Sequence, residues 1–188
     1  MSRVKDSIAE AFIDEVAIIP ITEINASNLI NEAGVSRRSY YNNFRSMVEV
    51  ADYAIEMVSS SLDMGNFMRI KDTDELVTKG FVLFTNAIYE HRDEMKLFYT
   101  SDLKGRWVQF LIKKYRPLVR DVVFKNYDNS NPIPKSSAVS VYTYTMIGSI
   151  EDWITQPIPV KPEIYREYLL DTLKTAPEDL IYGPEHDW

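Results

Sequence analysis

Between Ser36 and Arg45 the chain sets down a run of hydrogen-bonding side chains that includes no acid: Ser36, Arg37, Arg38, Ser39, Tyr40, Tyr41, Asn42, Asn43 and Arg45. These residue types suit a nucleic-acid duplex. Arginine can bond guanine O6 and N7 as a pair, asparagine can do the same to adenine N6 and N7, and serine and tyrosine hydroxyls suit phosphate oxygens. Asn25 and Ser27, a little upstream, add polar groups of the same kind. The chemistry implied is recognition rather than bond-making.

Such side chains need a rigid mount, and the surrounding residues describe one. Ala26, Leu29, Ile30 and Ala33 share one face of a short helix that Asn25 can cap. Gly34 stops that helix by taking a left-handed conformation, and Val35 follows as an apolar plug. Ser36 can cap a second short helix running to about Phe44, most of whose circumference offers hydrogen-bonding groups. Before this pair, Val4, Ile8 and Phe12 give residues 3 to 16 an amphipathic helical pattern that Pro20 ends. After it, Ser46 opens a connecting helix with Val48, Ala51, Ile55, Val58 and Leu62 at helical spacing. Polar residues from Ser59 to Asp74, with Gly65 among them, mark a boundary between modules.

The run Leu29-Ile30-x-x-Ala33-Gly34-Val35-Ser36-Arg37-x-Ser39-x-Tyr41-x-x-Phe44 resembles the helix-turn-helix signature of the TetR family of bacterial transcriptional regulators. That resemblance implies an all-α protein: an N-terminal three-helix DNA-binding unit at 1–50 and a helical-bundle unit for effector binding and dimerisation at 51–188. It implies a ligand-responsive repressor that binds a palindromic operator on double-stranded DNA as a homodimer. The DNA contacts would come from Asn25, Ser27 and the polar run from Ser36 to Arg45. One position departs from the pattern. Met47 stands where the family usually places a phosphate-binding lysine, and the chain is acidic, with a net charge of −7. Both features also suit an alternative, a co-regulator of the same fold that binds a protein in place of DNA.

Beyond residue 74 the pattern is helical throughout, with helices expected at 75–89, 93–100, 104–125, 136–156 and 163–174, and with Pro117 expected to bend or interrupt the third of these. The segment 136–156 is apolar nearly all round. It therefore needs cover on most faces, and with the last helix it suggests a dimer contact through Tyr142, Ile150, Trp153, Leu169 and Leu173, with burial inside one subunit as the alternative. Aromatic residues interspersed with methionine suggest an interior that can hold a small apolar or aromatic effector, with Phe84, Phe98, Tyr99, Trp107, Phe110, Tyr144 and Met146 as candidate contacts.

Composition narrows the remaining classes. With 45% hydrophobic and 12% aromatic residues, the 188-residue chain can bury a substantial core. It has no cysteine and two histidines, His91 and His186, so no His/Cys metal cluster is expected. No clustered nucleophile and base and no phosphate-binding glycine loop are found, so neither an enzyme nor a cofactor is expected. Met1 to Pro20 mixes acids with apolar residues, unlike a secretory leader, and no run is long enough to span a bilayer. The expected setting is cytoplasmic, without a membrane partner.

Overall fold

Local capping chemistry sets the N-terminal helices. In the computed structural model, which describes residues 3–61, 75, 79–127 and 133–174, α1 is Arg3–Val16, α2 Ala26–Glu32, α3 Arg37–Asn43 and α4 Met47–Ser61, with a single 3-10 turn at Ile21–Glu23. Asn25 Oδ1 accepts from the Asn28 N–H at 3.0 Å and opens α2. That helix closes on Gly34, whose φ is 63°, with the Val35 N–H donating to Ile30 O at 3.1 Å and the Gly34 N–H to Asn31 O at 3.2 Å. This is the double bond pattern of a Schellman cap, in which the residue with positive φ is glycine because a Cβ there is strained. Ser36 Oγ accepts from the Ser39 N–H at 3.1 Å and opens α3. At the start of α4, Ser46 Oγ accepts from the Glu49 N–H while the Glu49 carboxylate accepts from the Arg45 N–H at 2.8 Å. Free N–H groups of the first turn are thereby satisfied by local side chains.

Packing then orients these helices. Ile8, Ala9, Phe12 and Val16 line the buried face of α1, which lies against α4, α2 and α3. The remaining helices among the described residues are α5 (Phe81–Glu90), α6 (Arg92–Thr100), α7 (Lys104–Asn126), α8 (Lys135–Thr155) and α9 (Pro162–Lys174). α8 packs along α7 and α6, α9 covers α5, and α4 meets α7. One apolar core runs from Ile8 through Ile55, Phe98 and Trp107 to Leu169, so α4 belongs to both ends of it.

Two prolines stand inside helices, and neither interrupts one. α7 continues through Pro117, which faces solvent, where water can take the Lys113 carbonyl that Pro117 leaves without a donor. Pro162, expected outside the helix, is the first residue of α9, a position at which the missing N–H costs nothing.

Trp153 fixes the junction of α8 and α9. Its indole N–H donates to Val160 O at 2.8 Å, and its ring stacks on Tyr165 at 3.9 Å with Tyr89 on the other side. Ile150, Trp153 and Leu169, expected at a dimer interface, are therefore buried inside one subunit. An all-round apolar helix does not declare which side its own chain covers. Here α6, α7 and the Tyr165 side of α9 take Ile150 and Trp153, leaving Val141, Tyr142 and Tyr144 on the solvent side. The Leu173 side chain lies outside the described residues.

Candidate nucleic-acid interface

α3 is held by one edge. Tyr40 and Phe44 are each 2% exposed, their rings 6.3 Å apart, and Phe44 meets Tyr53 of α4 edge-on at 5.7 Å. Lys5 of α1 places its ammonium over both the Phe44 and Tyr53 rings, at 5.4 and 5.3 Å. Tyr40 is thus a core residue and not a DNA contact. Burial, with Tyr41 adding to it, pushes its phenol upward from the ordinary range, so it stays neutral.

The opposite edge faces water. Arg37, Arg38, Tyr41, Asn42 and Arg45 are exposed and fall at i, i+1, i+4, i+5 and i+8, a single face of α3 and its exit. No acid occurs between Gly34 and Val48. Asn43 is only half available: its amide donates to Ser39 O at 2.8 Å, which ties up part of the side chain and half-buries it. Ser36 and Asn25 are exposed but hold the helix caps, so their free hydrogen-bonding capacity is reduced. Ser27 is exposed at the start of α2 beside Asn28, a residue that sequence reading passed over. Its signal was there: an asparagine in the first turn, pointing away from Leu29 and Ile30.

In the C-terminal helices Phe98, Tyr99 and Phe110 surround Trp107, at 5.2, 6.0 and 6.1 Å between ring centroids, and Phe84 meets Tyr115 at 6.4 Å. The structure brings together most of the expected effector contacts. Met146 is half-buried against the same core, whereas Tyr144 is 56% exposed on the outer side of α8 and does not join them. The hydroxyls of Tyr99 and Tyr115 and the indole N–H of Trp107 are buried without an aligned hydrogen-bond partner among the described residues. Burial pushes both hydroxyls above the ordinary phenol range. Among the described residues, no group of three or more His, Asp or Glu side chains is set to hold a metal ion, and no helix is long and apolar enough to cross a membrane.

A short helix clipped by Tyr40 and Phe44 behind a glycine turn, with its arginines outward and a helical bundle after it, defines a helix-turn-helix protein. Comparison with protein-family models carries this further: residues 75–175 match a TetR-type transcriptional regulator C-terminal region. The match covers more than half of the 188 residues, and the chain belongs to the TetR family of transcriptional regulators. A search of curated proteins returned no match.

Proposed function

We propose that the protein is a ligand-responsive repressor that binds a palindromic operator on double-stranded DNA as a homodimer. The observation that carries this reading is the acid-free exposed face of Arg37, Arg38, Tyr41, Asn42 and Arg45. Arg37, Arg38 and Asn42 have the donor geometry for base edges, and Tyr41 and Arg45 suit the flanking phosphates. Because the whole chain carries −7, non-specific binding is weak, and the salt dependence of operator binding follows the number of phosphates that the arginines neutralise.

A dimer supplies the second recognition helix, about 34 Å from the first on one side of the duplex. The exposed side of α8 (Val141, Tyr144, Gly148) and of α9 (Ile164, Tyr168) supports such a contact, and a Cβ added at Gly148 would meet nothing within 4 Å, so a partner helix has room to approach. We place the effector in the aromatic interior around Trp107, where the buried Tyr99 and Tyr115 hydroxyls, without an aligned hydrogen-bond partner among the described residues, offer polar handles. It acts by shifting the population towards a form with the wrong helix spacing, with α4 as the lever.

The test is selection of bound fragments from random duplex DNA at two salt concentrations, repeated with Tyr41→Ala, Arg38→Ala and Tyr40→Ala. Arg38→Ala should lower operator affinity and reduce the salt slope by about 1 if it contacts phosphate, or relax one base position if it contacts guanine. Tyr41→Ala should weaken binding and leave folding intact. Tyr40→Ala should unfold the unit instead, costing about 3–5 kcal/mol as for other large aromatic truncations. Met47 at the head of α4, in place of a lysine, favours a second reading, a co-regulator that binds a protein. Recovery of no preferred sequence at either salt would select it.

A further inference from the structure

α7 and α8 part at the end of the bundle remote from the recognition helix. α7 begins beside the first half of α4, with Arg106 Nη1 2.7 Å from Asp52 Oδ1, and reaches the last turn of α4 at Lys114, 2.6 Å from Ser59 Oγ. Everything after Lys114 therefore runs past the end of α4. There, between the second half of α7 and the first turns of α8, lies a cleft of about 390 Å³. That volume is in the range of small-molecule sites. Its apolar surface comes from Ile112, Pro117, Phe124 and Val139, with Val139 buried at the bottom and Phe124 50% exposed at the mouth.

The same cleft is lined by Lys113, Arg116 and Arg120, at i, i+3 and i+7 on α7, and Lys135 at the start of α8 sits 5.7 Å from the Phe124 ring centroid. Little opposes this charge. Among the described residues, Arg120 bonds its neighbour Asp121, at 3.0 Å with both side chains exposed, Arg116 donates to the neutral Ser140 Oγ at 3.2 Å, and Lys113 has no ionic partner. Among the described residues, three cations line the cleft, with Lys135 beside Phe124, and one carboxylate, Asp121, pairs with them, in a chain whose net charge is −7. Like charges at this spacing repel, and an exposed large aromatic beside them adds an apolar surface that water covers poorly.

We propose that this cleft binds an amphipathic anion: an apolar chain lying on Val139, Ile112 and Phe124, with a carboxylate or phosphate head on Arg116 and Arg120. Guanidinium groups hold such heads by paired charge-assisted bonds, and the apolar floor selects against small inorganic anions. This site is separate from the aromatic interior around Trp107, and binding there does not depend on the chain reading DNA. Lys114 follows Lys113 directly and holds the last turn of α4, so the ligand sits on the helix that braces the DNA-reading unit.

The experiment is calorimetric titration of the full-length protein with decanoate, decyl phosphate and decanol, each below its aggregation threshold. Either anion should bind saturably at about one per chain, and decanol at least about tenfold more weakly. Arg116→Ala with Arg120→Ala should weaken the anions by about tenfold or more and Arg120→Glu further, with the unfolding midpoint unchanged because these side chains are exposed. The relative strength of the two anions identifies the head group. Equal binding of decanol and decanoate, unchanged binding by the double variant, or binding to vesicles of anionic phospholipid with no binding of either free anion would each overturn the proposal.

Discussion

Lys114 Nζ lies 2.6 Å from Ser59 Oγ and 3.4 Å from the Ser59 carbonyl oxygen, so a cation from α7 closes the last turn of α4. The position suits the charge, because the C-terminal end of a helix carries unpaired carbonyls and negative potential. The ammonium also sits 5.5 and 5.8 Å from the Phe110 and Tyr115 ring centroids. Through this contact the helix that follows the N-terminal helix-turn-helix unit is tied to the bundle.

Burial moves Lys114 below its ordinary value of 10.5, against an opposing pull from Glu56. Between the lowered folded value and 10.5 the unfolded chain holds a proton that the folded chain releases, so stability from this group rises with pH across that window. The gap between wild type and Lys114→Met should therefore widen in favour of wild type from pH 7 to pH 10, measured by urea denaturation. A gap that stays flat would show an ammonium as well solvated folded as unfolded.

Tyr53 makes the corresponding tie to α1. Its phenol donates to Asp6 Oδ1 at 2.7 Å, and burial, then the bond to Asp6, pushes it up to about 12. A raised value means the contribution is complete below pH 10 and lost as pH climbs through 12. Tyr53→Phe should cost about 1 kcal/mol at pH 7, the usual worth of a partly exposed hydrogen bond. The same urea curves should converge with those of wild type between pH 10 and 12.

Gly34 tests the turn. A Cβ there would meet no atom within 4 Å, so Gly34→Ala is opposed by backbone conformation alone, at φ 63°. The expected cost is about 1–2 kcal/mol, or about 2–8 °C in unfolding midpoint for a chain of this size. Gly34→Asn should cost less, because asparagine tolerates the left-handed region. Equal loss with both substitutions would mean that the turn fails for another reason.

The parts of this protein that were legible in sequence are those decided within a few residues. Asn25, Gly34 and Ser36 fix caps and a turn by local hydrogen bonds, so α2 and α3 fall where the pattern put them. Tyr40 and Tyr41 are the opposite case. Adjacent in sequence and alike in chemistry, they end 2% and 61% exposed because about 100° of helix separates them and α1 and α4 cover only one edge. The assignment of Trp153 to an interface failed for a similar reason: its side of α8 was chosen by Tyr89 and Tyr165, residues distant in the chain. Lys114 carried no local mark at all, since a lysine on a long helix is ordinarily solvated.

That correction gives the oligomer a sharper test. If two copies meet through α8 and α9, the residues that matter are those the subunit leaves bare, Val141 and Tyr144 on α8 with Tyr168 on α9, which are 62%, 56% and 61% exposed. A carboxylate placed there would be desolvated without a partner in the dimer but freely hydrated in the monomer. Val141→Glu or Tyr144→Glu should therefore shift sedimentation from dimer to monomer while far-ultraviolet helicity and the unfolding of the monomer are retained. Trp153→Ala should do the reverse: it empties a fully packed site and frees Val160 O from its indole donor, so it destabilises each subunit by about 3–5 kcal/mol whether or not a partner is bound. A dimer that survives both glutamates places the contact elsewhere, and a chain that is monomeric before any substitution overturns the homodimer itself.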